Sequence, residues 1–267
     1  MNTKISFEIN AITHSNEITK VEKIVKLTDR LNPPYYTVNT EIGSSNWQDT
    51  LNTSLLLKSI TKKTVIPHVA INNKDECELN YIAEQYLKAG METLFVIRGD
   101  KHTISHLKSF NHSIDLIEYY KRNFKEISII SSCHPDFHKE TTSPNEEFNW
   151  LERKSQLGVN EFICQFCLNS DAIANIKKSI NRTITLIPAI FPLGNFVFIE
   201  RFTQENSIDY PLWIRKTIGD TSKSPLNALG LKITKTLIER YLTEFNRLHY
   251  FTLNNVDQIE KIFFDAD

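Results

Sequence analysis

Leu94-Phe95-Val96-Ile97-Arg98-Gly99-Asp100 decides how this chain is read. Five apolar or long residues make a buried strand, which then breaks at once into Arg-Gly-Asp. A fixed cation and a carboxylate therefore stand at the C-terminal end of the strand, where parallel α/β proteins handle ligands. Out-of-place polar groups close other apolar runs in the same way: Glu8, Thr40, His68, His134, His138 and Gln165. Together they predict an active-site rim.

Outward from this stretch, short apolar runs alternate with longer amphipathic ones. Strands are predicted at Ile5–Asn10, Tyr35–Thr40, Val65–Ile71, Thr93–Arg98, Ile127–Ser132, Glu161–Leu168, Thr183–Ile190 and Arg247–Thr252. The clearest helix is Asp75–Ala89, where Leu79, Ile82, Ala83, Tyr86 and Leu87 keep the three-four spacing of one buried stripe. Asn73 and Glu76 are the expected capping box, and Gly90 the left-handed C-terminal cap. Eight strands alternating with helices predict an α/β protein, a closed (β/α)8 TIM barrel over residues 1–267 as a single domain. Lys101–His112 and Lys139–Glu147 read as loops after the fourth and fifth strands, on the side that covers a ligand.

Composition agrees with a large cored domain. The chain has 267 residues, 40% hydrophobic, and such a barrel needs about 250. A formal net charge of −1 gives no global field for nucleic acid or an anionic membrane. Neither a signal core nor a run of roughly 20 apolar residues is present, and four cysteines lack framework spacing. A cytoplasmic enzyme is expected, with a small-molecule substrate, no nucleic acid or membrane partner, and assembly as a homo-oligomer.

In Ile5-Ser6-Phe7-Glu8-Ile9-Asn10 the apolar side chains share one face, which leaves Glu8 on the other with Ser6 and Asn10. In a barrel this points Glu8 into the inner mouth, where desolvation would raise its pKa and make it a proton donor near neutral pH. The alternative is an edge strand with a solvated Glu8. Gly99 permits a sharp turn between Arg98 and Asp100, suited to a phosphate clamp beside a carboxylate, or simply to a local ion pair. His134 and His138 are spaced like metal ligands, but Pro135 interrupts any helix that would align them, so no metal is expected. Cys164 and Cys167 fall in a strand on opposite faces and read as core residues; Cys77 and Cys133 have no evident partner.

These residues resemble the methylenetetrahydrofolate reductase family, in order, from Ser6 to about Asn254. The pieces are Ser6-Phe7-Glu8, Pro67-His68, Ile97-Arg98-Gly99-Asp100 and His134-Pro135-Asp136-Phe137-His138-Lys139-Glu140. Leu151-Glu152-Arg153-Lys154 with Leu157-Gly158, Cys164-Gln165-Phe166, Ile187-Pro188-Ala189-Ile190-Phe191-Pro192 with Asn195-Phe196, and Phe251-Thr252-Leu253-Asn254 complete them. The resemblance implies a barrel that binds FAD, takes hydride from NADH or NADPH, and reduces 5,10-methylenetetrahydrofolate to 5-methyltetrahydrofolate by a ping-pong route. Carried over, Glu8 protonates the folate and Asp100 tunes the flavin. Thr40, His68, Arg98, Gly99, His112, His134, His138, Arg153 and Lys154 hold the flavin, while Gln165, Phe196 and Asn255 meet the substrate.

The chain also departs from that pattern. Ile9-Asn10-Ala11-Ile12 replaces Phe-Phe-Pro-Pro, and Thr40-Glu41-Ile42 replaces Thr-Tyr-Gly. His112 and His134 stand for tyrosines, Trp150 for an asparagine, and Asn255 for a folate-binding arginine. Two further readings follow: a divergent flavin oxidoreductase with another imine-like or folate-related substrate, or a non-catalytic flavin-binding partner subunit.

Overall fold

The computed structural model describes residues 4–100, 110–180, 182–219 and 228–265. Eight strands, β1 (Ile5–Ile9), β2 (Tyr35–Val38), β3 (Thr64–Ala70), β4 (Thr93–Ile97), β5 (Ser128–Cys133), β6 (Glu161–Phe166), β7 (Thr185–Ile190) and β8 (Leu248–Phe251), close in that order into a barrel. All neighbouring pairs are parallel, including β1 with β8, where Glu8 stands opposite Phe251. The eight expected strands are all present, most ending a residue or two short of their predicted C-termini.

The helices that wrap the barrel are α1 (Ile18–Thr28), α2 (Trp47–Ile60), α3 (Glu76–Lys88), α4 (Ser113–Asn123) and α5 (Pro144–Gln156), followed by α6 (Ser170–Ser179), α7 (Phe196–Glu205), α8 (Leu212–Gly219), α9 (Ala228–Phe245) and α10 (Val256–Phe263). None among the described residues is long and apolar enough to cross a membrane.

Alternation along the strands separates two environments. Ile5, Phe7 and Ile9 pack outward with α1 and α10, while Tyr35, Ile66, Phe95, Ile130, Ile163, Ile187 and Ala189 form a separate inner cluster. That inner layer fills the barrel, as side chains do in a closed eight-stranded sheet. Arg247 closes the floor by a two-point contact with Glu161, at 2.8 and 3.0 Å.

Two local expectations are corrected. The capping box of α3 is formed by Asp75 and Glu78 rather than by Asn73 and Glu76. Asn72 and Asn73 both take positive φ, 39° and 64°, and this turn delays the helix start. Gly90, at φ 69°, caps the other end as expected. The expected loop Lys139–Glu147 is shortened, because Ser143 caps α5 and Pro144 occupies its first turn. Glu147 therefore sits on a helix. Most of the expected loop Lys101–His112, residues 101–109, lies outside the described residues.

Candidate active site at the barrel mouth

Glu8 is buried on the inner face of β1 and is 8% exposed. Its Oε2 lies 3.6 Å from His68 Nε2 of β3 and 3.8 Å from His249 Nε2 of β8, and its Oε1 accepts from Asn39 Nδ2 at 3.3 Å. Closure of β8 onto β1 brings together residues 241 positions apart in the chain. His249 is itself held, with Nδ1 2.8 Å from Ser6 Oγ and Nε2 3.4 Å from Thr37 Oγ1. Asn39 is oriented by Asn10 Oδ1 at 2.6 Å and by the backbone N–H of Ala11 at 2.9 Å.

The expected rise in the Glu8 pKa is corrected. Burial pushes the carboxyl up, but His249, His68 and Asn39 together outweigh it and hold it below the usual range. Burial also depresses His68 to about 4. A charge on His68 would help Glu8, yet at neutral pH His68 carries none, so the carboxylate rests on His249 and Asn39. Glu8 is then ionised at neutral pH, a base or a counter-ion rather than a resident acid. Among the described residues His68 Nε2, beside Glu8, and Thr40 Oγ1, just past the end of β2, are buried without a hydrogen-bond partner. Buried orphans of this kind are uncommon and are plausible ligand contacts.

A second polar group occupies the ends of β4 and β5. Gly99 turns the chain at φ 88°, and Arg98 pairs with Glu140 at 2.5 and 2.9 Å. Asp100 is exposed just beyond. His134 Nδ1 lies 3.6 Å from the buried Glu147, and its ring meets that of His138 at 4.9 Å. Glu147 also accepts from Thr141 Oγ1 at 2.9 Å. Lys154 is buried, reaches the Ser132 carbonyl at 3.4 Å, and is pushed down by burial against the pull of Glu147. Burial, with His134 and Arg98 nearby, likewise depresses His138 to about 4.

The remaining expected residues are dispersed. Gln165 is half-buried, its Oε1 accepting the N–H of Phe166. Phe196 is buried at the start of α7, against Gly230. Asn255 caps α10 through the N–H of Gln258. His112 stacks on Trp150 at 4.8 Å, and Arg153 lies over the other ring system of that pair, 4.9 Å from Trp150.

Sequence reading missed His249, Asn39 and Glu147, and it noted Glu140 beside the histidines without its pairing to Arg98. His249 stands between Arg247 and Tyr250, and only its alternation with Phe251 could have placed it inside the barrel. Cys133, read as partnerless, is the register partner of Cys164 across β5 and β6.

Comparison with known proteins follows from this geometry. The sequence model of the family described as methylenetetrahydrofolate reductase matches residues 1–266. The 5,10-methylenetetrahydrofolate reductase of Buchnera aphidicola subsp. Baizongia pistaciae is 27% identical over 94% of this chain and 86% of its own length. That of Escherichia coli is 23% identical over 85% of this chain and 78% of its own. Among solved structures, 2,3-dimethylmalate lyase, of the PEP mutase/isocitrate lyase superfamily, superposes with a TM-score of 0.55 at 8% identity, covering 93% of this chain and 73% of its own. Oxaloacetate acetylhydrolase superposes with 0.57 at 7% identity, covering 96% and 77%. At that identity the likeness carries the fold alone.

The structures that superpose on the barrel are named for lyase and hydrolase reactions, and the expected FAD and NAD(P)H chemistry is corrected by the site itself. The cations expected to cradle flavin phosphates are engaged within the chain: Arg98 with Glu140, Lys154 near Glu147, and Arg153 on Trp150. The residues present do not fit the phosphate cradle expected of them. The flavin-dependent conversion is withdrawn, as are its alternatives, the flavin oxidoreductase and the flavin-binding partner subunit. Among the described residues, no group of three or more His, Cys, Asp or Glu is arranged to hold a metal.

Proposed function

The chain belongs to the methylenetetrahydrofolate reductase family, and from that premise we propose an enzyme that acts on a small reduced-folate-type ligand by proton transfer at Glu8. The relatives are named for 5,10-methylenetetrahydrofolate, in which a one-carbon unit bridges two nitrogens. The observation that carries the reading is the buried carboxylate faced by two imidazoles, with His68 Nε2 making no hydrogen bond among the described residues.

A bridge of this kind opens when one nitrogen takes a proton and receives the electron pair of its bond to the one-carbon unit. The carbon is left as an iminium on the other nitrogen. Closure reverses both movements and releases the proton. Glu8, ionised in the resting site, receives that proton on closure; opening draws a proton from solvent through Glu8, and the carboxylate left behind offsets the iminium. In the open form water adds to the iminium with loss of a proton, and the resulting N-hydroxymethyl group departs as formaldehyde to leave the free amine; both steps reverse, and neither needs an oxidant or reductant. His249 is a positioning residue, holding the Glu8 carboxylate from β8 while Ser6 fixes its ring.

The test is exchange of labelled formaldehyde into 5,10-methylenetetrahydrofolate, followed by carbon NMR with the uncatalysed rate subtracted. Catalysed exchange that saturates with folate is expected. Absence of both saturable folate binding and catalysed exchange near neutral pH would overturn the proposal.

A further inference from the structure

Outside the mouth, the loop leaving β5 lines a second concavity of about 450 Å3. Its other walls come from α5, α6 and residues 207–209 ahead of α8. Phe137 and Phe148 meet edge to face there, with centroids 6.0 Å apart, and Ile176 and Ile208 are buried beside them. Phe137 holds φ 65°, a left-handed conformation that a bulky residue adopts only when its surroundings impose it.

Asp136, Asn169, Asn175, Ser207 and Asp209 make the rest of the lining polar. Asp136 Oδ2 accepts the backbone N–H of Asp209 at 3.3 Å, the Cys167 thiol also reaches its carboxylate, and no cation pairs with it among the described residues. Asp209 adds a second negative charge at the same rim. Burial, together with that neighbour, holds Asp136 above the ordinary aspartate range. A partly desolvated carboxylate in a concavity that also holds two aromatic rings is chemistry that suits organic cations.

We propose that this pocket binds a small organic ammonium ion of about the size of choline, its charge against Asp136 and its methyl groups against Phe137, Phe148, Ile176 and Ile208. A neutral ligand would leave the charge of Asp136 without a counter-ion. For a bare metal ion, no group of three or more His, Cys, Asp or Glu is arranged here among the described residues. The site is separate from Glu8 and does not depend on the folate reading.

The experiment titrates the full chain with choline and, in parallel, with its neutral isostere 3,3-dimethylbutanol, by calorimetry and by saturation transfer to the ligand methyl groups. Saturable choline binding is expected, with the isostere weaker by about tenfold or more. Asp136→Asn should abolish that preference, and Phe148→Leu should weaken choline by about three- to tenfold. Lowering the pH through the titration of Asp136 should weaken choline and leave the isostere unchanged. Equal binding of the two ligands, no saturation by about 50 mM choline, or a preference that survives Asp136→Asn would each overturn the proposal. Should Asp136→Asn fail to fold, the wild-type comparison and Phe148→Leu decide.

Discussion

The two halves of the barrel mouth carry similar residue types and treat them differently. On the β4–β5 side, charge is largely met within the chain: Arg98 by Glu140, and the buried Glu147 by His134, Thr141 and Lys154. On the β1–β3 and β8 side, one carboxylate faces two imidazoles, and among the described residues the polar atoms His68 Nε2 and Thr40 Oγ1 make no hydrogen bond. Charges that answer one another hold loops and helices in place, whereas buried polar atoms that the chain leaves unbonded are open to a ligand or water. Counting cations therefore favours the first half as a binding site, and pairing favours the second.

The largest effect that would sharpen this contrast is on turnover. Glu8→Gln should lower catalysed exchange by about 100- to 10,000-fold, the usual contribution of a positioned acid or base, while folding stays intact by circular dichroism. A comparable loss on replacing Glu140 would break the contrast. Next in size is stability on the closed side. Glu147→Ala removes the carboxylate that meets His134 and Thr141 and should cost about 1–3 kcal/mol in urea unfolding at neutral pH. A change near zero would mean that the pairing there is not structural.

A third prediction concerns pH. The unfolded chain binds a proton at a histidine near 6.5, but His68 in the barrel binds one only near 4. The unfolded state therefore holds more protons between those values, so stability should fall as pH drops from about 6.5 towards 4 and stay level above. The low pKa of Glu8 acts in the same direction. His138, depressed to about 4 in the same way, shares this slope, so His68→Gln should reduce it by about half in urea titrations, and an unchanged slope would place the proton elsewhere. The smallest effect belongs to the half-exposed Arg98–Glu140 pair. Glu140→Gln should change stability by under about 1 kcal/mol, and less in high salt.

Much of the fold was legible along the chain. The strand at Leu94–Ile97 and the α3 stripe of Leu79, Ile82, Ala83 and Tyr86 follow from periodicity, because burial on one face repeats with the geometry of the element itself. The inward aim of Glu8 followed from alternation in β1. Its ionisation did not, because the groups that hold it come from β2, β3 and β8. The positions that depart from the family pattern show the same limit. His112 stacks on Trp150 between α4 and α5, and Glu41 pairs with Lys74 at 2.5 Å at the ends of β2 and β3. Each looked like an isolated loss in one dimension, and each is packed or paired with another side chain of the chain.

By itself, then, the sequence determined the eight-stranded alternating order, the placement of Glu8 on the inner face of its strand, and membership of a family whose motifs recur in order. Those properties are set by local spacing, which a linear chain records directly. Only the tertiary structure decided which charges are spent on one another. Barrel closure sets His249 beside Glu8, and the register and loop conformations set Glu140 against Arg98 and Glu147 against His134. Whether a charged group is free to meet a ligand depends on neighbours that only three-dimensional closure brings near it, since electrostatic pairing falls off with distance in space rather than along the chain.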